Sequence, residues 1–98
     1  MMRQLLNMER LQHQSGVFDG FNVSGYQHMD ERGEVGWLMT AWPGGNPVND
    51  YWVANGRFYN ARIDLGRDGF LIEVFNENHD IDPKEKTAIL NALAKWDR

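Results

Sequence analysis

Hydrophobic and polar residues alternate most regularly between positions 51 and 75, and two turn signals interrupt the alternation. Asn55-Gly56 is typical of a two-residue type I′ turn, because both central positions of that turn need a positive φ. Residues 66–69 form a second, slightly longer connection with glycine at each end. A period of two places successive side chains on opposite faces of a sheet. The pattern therefore predicts a three-stranded antiparallel meander over residues 51–75.

The N-terminal segment carries a helical period instead. Leu5, Met8 and Leu11 recur at three-residue spacing, which predicts a short helix over residues 1–13. We expect that helix to cover one face of the sheet, because terminal segments usually dock on their own domain when they are ordered. The alternative is an arm that pairs with another subunit.

Two further strands are predicted between this helix and the meander. Residues 17–29 alternate weakly, and Gly20 and Gly25 interrupt them, which indicates a bulge, a bend or the close approach of another backbone. Residues 35–42 carry large apolar groups on both faces, which is typical of a central strand. The turn-forming residues 43–50 then predict a loop that aromatic residues flank on both sides.

The C-terminal stretch has the clearest helix signal in the chain. Asp82 is suited to the N-cap, Pro83 to the first helical position and Glu85 to a capping box. A stripe of apolar residues at helical spacing predicts the face that packs on the sheet: Ala88, Ile89, Ala92, Leu93 and Trp96.

Together these elements predict one α+β domain over residues 1–98. About five antiparallel strands form a meander sheet, and an N-terminal and a C-terminal helix pack on it. The chain of 98 residues is 42% hydrophobic and 24% charged, which suits one modest core and argues against disorder. If the strands curl strongly at the glycines, the alternative is a small, partly open barrel.

Part of the meander resembles a known family. Residues 53–63 read Val-Ala-Asn-Gly-Arg-Phe-Tyr-Asn-Ala-Arg-Ile, and Asp68-Gly69 and Val74-Phe75 follow. This stretch is similar to the hairpin region of Tudor and other SH3-like barrels, in which a Val-x-Ala strand leads to Asp-Gly-x-Trp-Tyr-x-Ala and a later strand ends in Val-x-Phe. The resemblance covers about a quarter of the chain. It implies an SH3-like barrel that acts as a small recognition domain.

Charge and composition narrow the function classes. The formal net charge is −4, so attraction to nucleic acid or to an anionic membrane surface is disfavoured and a basic partner is favoured. The chain has no cysteine, which excludes disulfides, thiolate metal sites and thiol nucleophiles. No signal peptide or membrane span is visible in the sequence, and we therefore expect a cytoplasmic protein.

Catalytic and metal-binding patterns give little support for an enzyme. None of the three histidines lies at ligand spacing to another. His79 is the best candidate for a divalent metal, because Glu77 and Asp80 lie close to it in the sequence. Pro83 argues against a calcium loop, since it stands where that loop requires glycine. We predict no catalytic residue, no cofactor and no metal, and keep a small metal-dependent enzyme as an alternative.

Two features favour a binding function. Tryptophan and tyrosine are plentiful, and both anchor interfaces because they bury a large area at low entropy cost. Acidic residues far outnumber basic ones between positions 64 and 82, which suits a basic partner. The predicted protein-binding residues are the aromatic residues that flank the loop and the acids that follow: Trp42, Tyr51, Trp52, Asp64, Asp68, Glu73, Glu77 and Asp80.

The sequence therefore predicts a non-enzymatic protein-binding module. Its more specific form is an acidic inhibitor or immunity-type protein that acts on a larger basic macromolecule, such as a nuclease. The N-terminal helix or an edge strand could also join two copies of the chain in a homodimer. The alternatives are an SH3/Tudor-like recognition domain and the metal-dependent enzyme.

Overall fold

The structure is a computed structural model that describes residues 2–6, 12–29, 33–47, 49–66 and 69–97, with side chains at 13–29, 33–47, 49–63 and 72–97. Within these residues the chain forms seven strands followed by one helix. The strands are β1 (Met2–Leu6), β2 (Gln12–Phe18), β3 (Phe21–Met29), β4 (Val35–Trp42), β5 (Asp50–Ala54), β6 (Arg57–Gly66) and β7 (Gly69–Glu77), and the helix is α1 (Pro83–Trp96).

All seven strands belong to one antiparallel sheet in the order β1-β7-β6-β5-β4-β3-β2. From β2 to β7 each strand lies beside its neighbour in the sequence, so this part is a meander. β1 pairs with β7 at the far edge, where Met2 lies opposite Val74 and Leu6 opposite Phe70. An antiparallel sheet with a C-terminal helix is confirmed, with seven strands in place of about five.

Local signals account for the elements that were predicted best. Asn55 and Gly56 both have a positive φ, 52° and 73°, as a type I′ turn between β5 and β6 requires. β4 lies inside the sheet and is buried on both faces over most of its length, as its apolar pattern indicates. Residues 43–47 form a loop, as predicted, whereas Asp50 already belongs to β5 and residue 48 lies outside the described residues.

The C-terminal helix begins where its capping residues indicate. The Asp82 carboxylate accepts a hydrogen bond of 2.8 Å from the backbone N–H of Lys84, and Pro83 opens the first turn. Three residues of the predicted apolar stripe are fully buried: Ala88, Ile89 and Ala92.

The predicted helix over residues 1–13 is wrong. Residues 2–6 and 12–18 are strands, and positions 1 and 7–11 lie outside the described residues. The three-residue spacing gives only a narrow stripe, and no residue caps a helix there. β1 is a strand because its backbone pairs with β7, where Leu5 lies opposite Leu71. Local periodicity carries no information about so distant a partner.

The weakly alternating stretch 17–29 belongs to a β2–β3 hairpin. β2 pairs with β3 in unbroken register up to Phe18 opposite Phe21. Asp19 and Gly20 form the two-residue turn, with φ of 52° and 84°. Gly20 therefore marks the end of a strand and not a bulge within one.

The helix α1 covers one face of the sheet, over β2, β3 and β4. Gly25 leaves the space that two indole rings fill, since a Cβ there would lie 3.2 Å from a carbon of both Trp37 and Trp96. The core on this face joins helix and strands: Val23, Trp37, Met39, Ala41, Tyr51, Val53, Phe58, Ala88, Ile89 and Ala92.

A second core lies on the opposite face, and no residue of α1 belongs to it. Its side chains come from β4, β5 and β7, which are not all neighbours in the sheet. Because these side chains are buried without a helix above them, the sheet itself covers them. They are Leu38, Trp52, Ala54, Ile72 and Val74.

Chain connectivity also requires the sheet to curl. In a flat sheet of this size the two outer strands would lie about 29 Å apart, at about 4.8 Å per spacing. The outer strands here are β1 and β2, yet the chain from Leu6 to Gln12 can extend no further than about 22 Å. The two edges must therefore approach each other, which folds the sheet around the second core.

Candidate protein-binding surface

We call the side of β2, β3, β4 and β5 that α1 does not cover the helix-free face. Strand alternation decides which side chains it carries, because opposite positions in an antiparallel register share a face. The buried Leu38 and Trp52 of the second core belong to this face. Its half-buried and exposed side chains include His13, Ser15, Val17, Asn22, Ser24, Tyr26, Thr40, Trp42 and Asp50.

A row of hydroxyl groups crosses three strands of the helix-free face. Ser15 lies opposite Ser24, and Ser24 lies opposite Thr40. The Thr40 hydroxyl donates a hydrogen bond of 2.8 Å to the carbonyl oxygen of Asn49, which places Thr40 beside the start of β5. Asp50 is the first residue of β5 and continues the row. We call Ser15, Ser24, Thr40 and Asp50 the polar row.

His13 stands beside the polar row at the sheet edge. Its Nε2 is hydrogen-bonded to the Ser24 Oγ at 2.7 Å. Its ring lies against that of Tyr26, the residue opposite it in the register, with 4.6 Å between the ring centroids. These two contacts fix the imidazole on the helix-free face.

Aromatic side chains border the polar row on both sides. Trp42 follows Thr40 by two residues on the same strand face and is half-buried. Tyr26 follows Ser24 in the same way and is also half-buried. A polar strip between aromatic side chains suits a ligand that has both a charged group and an apolar stem.

Burial raises the pKa of Asp50 above its ordinary value of 3.8. The cause is desolvation, because the surrounding protein removes water that would stabilise the charged carboxylate. A cation placed beside this carboxylate would restore part of the lost stabilisation. The position therefore favours a basic group over a neutral one.

Tyr51, the next residue of β5, faces α1 and joins the strand to the helix. Its side chain is hydrogen-bonded to Glu85, and burial together with the Glu85 charge raises the pKa of Tyr51 to about 12. Burial likewise raises the pKa of Glu85. Glu85, which was expected in a capping box, thus bridges helix and sheet. The contact ties the start of β5 to α1 and so helps to position Asp50 on the opposite face.

The three aromatic residues predicted to bind a partner have different environments. Trp42 is half-buried, whereas Tyr51 is 4% exposed and Trp52 is 2% exposed. Tyr51 and Trp52 are therefore buried and do not offer an exposed aromatic surface beside the loop. The physical reason is that α1 covers one side of β5 at these positions and the curled sheet covers the other.

Glu73, a predicted acidic contact, is buried with only 5% of its surface exposed. Arg62 lies opposite it on β6, with 3.5 Å between Nη2 and Oε1. Glu73 therefore does not offer an exposed carboxylate to a partner. Asp64 is two residues beyond Arg62 on β6 and so belongs to the same face of the sheet. Its side chain lies outside the described residues.

The other predicted acids do not form one patch either. Glu77 ends β7, and Asp80 lies just beyond it in an exposed connection. Asp68 lies outside the described residues. β7 spans about 26 Å at about 3.3 Å per residue, so Glu77 and Asp80 lie far from Gly69, where the strand begins.

A cavity of about 370 Å³ opens where the β5–β6 turn, the end of β7 and the start of α1 meet. Arg57, Lys86 and His79 contribute to its lining. The His79 Nδ1 lies 3.6 Å from the Glu77 Oε2. No group of three metal-ligating side chains occurs among the described residues, so the geometry adds nothing to the metal interpretation of His79.

The His13–Ser24 hydrogen bond is also the first contact that a nucleophilic serine needs. Such a site further needs a third group that orients the histidine from its other nitrogen. Asp50 lies three strands away from His13, about 14 Å across the sheet, and beyond Ser24. Asp50 is therefore not placed to act as that third group.

Sequence reasoning missed His13, Ser24 and Asp50 as members of one surface. His13 fell in the predicted helix, although the Asp19-Gly20 pair is a hairpin signal that places it on a strand. Asp50 was assigned to the preceding loop. The polar row becomes visible only when the register across four strands is known.

No known protein family, curated protein or solved structure matches this chain. The helix-free face therefore has to be interpreted from its own chemistry. Among the described residues, no helix is long and apolar enough to cross a membrane.

Proposed function

We propose that this chain is a non-enzymatic protein-binding module that takes a basic segment of a partner protein on its helix-free face. The observation that carries the proposal is the polar row, which runs between Trp42 and Tyr26 and ends in the half-buried Asp50. Lysine and arginine have the matching chemistry. Their cationic head pairs with a carboxylate, while the stem or the guanidinium plane packs on aromatic rings.

The direction of the polar row limits how a segment would lie. The row runs across the strands from β2 to β5, a distance of about 14 Å. About four to five extended residues cover that distance. Alternate side chains of such a segment face the same way, so a basic residue at Asp50 has a neighbour two positions away that lies between the Thr40 and Ser24 hydroxyls.

An acidic inhibitor or immunity-type protein of the cytoplasm is the more specific form of this proposal. The net charge of −4 supports it, because a charged surface attracts an oppositely charged partner before contact. In this form the partner is a larger basic macromolecule, such as a nuclease, whose binding groove the chain occupies. Salt weakens attraction of this kind, which makes the partner's charge testable.

The experiment that tests the proposal is a titration of the isotope-labelled chain followed by amide NMR spectra. The probe is the peptide acetyl-Ala-Arg-Ala-Arg-Ala-amide, and the matched control carries glutamine in place of both arginines. We expect saturable shifts at Ser24, Thr40 and Asp50 and at the Trp42 indole with the arginine peptide. Equal shifts with the glutamine peptide, or shifts confined to the region of Asp80, would contradict the proposal.

A second measurement addresses the natural partner. The tagged chain is used for affinity capture from lysate of its source at low and at high salt, and bound proteins are identified by mass spectrometry. We expect a stoichiometric basic partner that is lost at high salt. A partner retained at high salt would speak against the electrostatic, inhibitor-type form of the proposal.

A further inference from the structure

The cavity at the start of α1 is a concave site that the proposed function does not use. Its volume is about 370 Å³, which lies within the range of small-molecule pockets. Three segments of the described chain build its wall: the β5–β6 turn with the start of β6, the connection after β7, and the first turn of α1. The residues of the helix-free face do not line it. The cavity therefore offers a second, separate place for a ligand.

We propose that this cavity binds a small organic anion, in which a carboxylate or phosphate head group is joined to an apolar body. Arg57 and Lys86 would hold the head group, and the apolar part of the wall would hold the body. This site goes beyond the proposed function, because the ligand, its charge and the residues that bind it all differ.

Two basic residues from different elements meet at the cavity. Arg57 is the first residue of β6, and Lys86 lies in the first turn of α1. Among the described residues, neither side chain forms an ion pair, and the Arg57 guanidinium has no hydrogen bond. The chain has 14 acidic and 10 basic residues, so two unpaired cations at one cavity reverse its overall charge locally. An anionic ligand would supply the partner that both cations lack.

The cavity also has a carboxylate in its wall, that of Glu77, and this group is already engaged. Its Oε2 lies 3.6 Å from the His79 Nδ1. Because Glu77 lies against the imidazole, it does not pair with Arg57 or Lys86. The two cations therefore remain available to a ligand.

Apolar side chains form another part of the wall. Phe58, Ile81 and Pro83 line the cavity, and Phe58 is only 3% exposed. The Lys86 Nζ lies 5.7 Å from the centroid of the Phe58 ring, so the ammonium group stands beside the apolar surface. A ligand that displaces water there would strengthen the attraction between this ammonium and its own negative charge. An anion with an apolar body therefore fits the wall better than a bare inorganic ion.

Hydrogen bonds hold the wall in place without a ligand. The backbone N–H of Asn78 donates to the Phe58 carbonyl oxygen at 2.7 Å, and its side-chain amide donates to the Asn60 Oδ1 at 2.8 Å. The Asp82 carboxylate already accepts the N–H of Lys84, so the site does not depend on the N-terminus of the helix. A preformed wall lowers the ordering cost of binding.

The test uses the isotope-labelled full chain and follows its amide NMR spectra while small molecules are added. The probes are benzoate and phenyl phosphate, and the matched control is benzamide, which has the same ring without a charge. We expect saturable shifts at Gly56, Phe58, Asn78 and Lys86 with the anions, and the tighter anion identifies the head group. No saturable shift with either anion, or equal binding of benzamide, would overturn the inference. Inorganic phosphate that binds as tightly as phenyl phosphate would overturn the role of the apolar wall.

Arg57→Gln and Lys86→Gln test the two cations, and both positions are exposed, so the fold should tolerate the changes. Lys95→Gln is the matched control, because its Nζ lies 5.9 Å from the centroid of the Phe18 ring near the other end of α1. We expect the dissociation constant of the tighter anion to rise about fivefold in each cavity variant and to stay within about twofold in Lys95→Gln. Equal weakening in all three would reduce the binding to net charge and overturn the inference. Since no basic peptide is present, a failure here would leave the proposed function untouched.

Discussion

The indole ring of Trp52 lies directly over Gly36, so that β4 and β5 meet where no Cβ intervenes. Trp52 is 2% exposed and is the largest fully buried side chain on the face that α1 leaves uncovered. Its ring also meets His28 edge-on, with 6.2 Å between the centroids. The absence of a Cβ at Gly36 leaves room for the Trp52 ring within the second core.

Gly36→Ala is therefore expected to destabilise the fold. The added Cβ would overlap the Trp52 ring, and overpacking of this kind costs about 1–3 kcal/mol in the free energy of unfolding. Gly44→Ala is the matched control, because a Cβ at that exposed loop position meets no atom within 4 Å. Denaturant unfolding of both variants checks the prediction. Equal free energies of unfolding for the two variants would show that the Trp52 ring tolerates a Cβ at position 36.

Asp50→Asn is expected to raise the melting temperature at neutral pH. The folded-state pKa of Asp50 is raised by burial, so the folded chain holds the proton more tightly than the unfolded chain, and the ionised carboxylate lowers stability. The difference from the wild type should shrink as pH falls through the raised pKa and vanish below about 3.8. Thermal unfolding at a series of pH values measures it.

Asp80→Asn is the control for this pH series, because it removes the same charge from an exposed position. Its effect on the melting temperature should be small throughout. A melting temperature that falls in Asp50→Asn at neutral pH would contradict the desolvation of Asp50. A stabilising change that weakens binding is the pattern expected when a residue is kept for function.

The contact between Tyr51 and Glu85 predicts an alkaline transition. With the pKa of Tyr51 raised to about 12, its phenol stays protonated in the folded chain while the unfolded chain ionises above the ordinary value of 10. Stability from this group is therefore full below pH 10 and is lost as pH rises toward 12. Tyr51→Phe should lose less stability over that interval. Absorbance titration should show a tyrosine ionisation near pH 12 that disappears in Tyr51→Phe, and its absence from the wild-type chain would refute the contact.

The elements that could be predicted from the sequence are those that short-range signals determine. The Asn55-Gly56 turn and the Asp82 cap act on residues next to them, and both elements formed as expected. The N-terminal strands could not be found in this way. β1 is a strand because it pairs with β7, which lies far along the chain. The helical spacing of Leu5 and Met8 predicts a helix, because it carries no information about that partner.

The candidate surface was only partly predictable. Trp42 was chosen from its place beside the loop and is half-buried. The burial of Tyr51 and Trp52 could not be predicted, because it depends on the helix and on the curl of the sheet. Charge counting grouped Glu73 with exposed acids, although Arg62 and the sheet enclose it. Alternation gives the face of a residue, but neighbours across four strands follow only from the register.

The most direct test of the central claim is the affinity of the arginine pentapeptide for the wild-type chain, Asp50→Asn and Asp80→Asn, measured by fluorescence or calorimetry. Both variants carry the same net charge, so long-range attraction is matched between them. If the helix-free face binds basic segments, Asp50→Asn weakens binding about tenfold, equivalent to about 1.4 kcal/mol, while Asp80→Asn leaves it within about twofold. Equal weakening in both variants would reduce the interaction to net charge and contradict a binding site at Asp50.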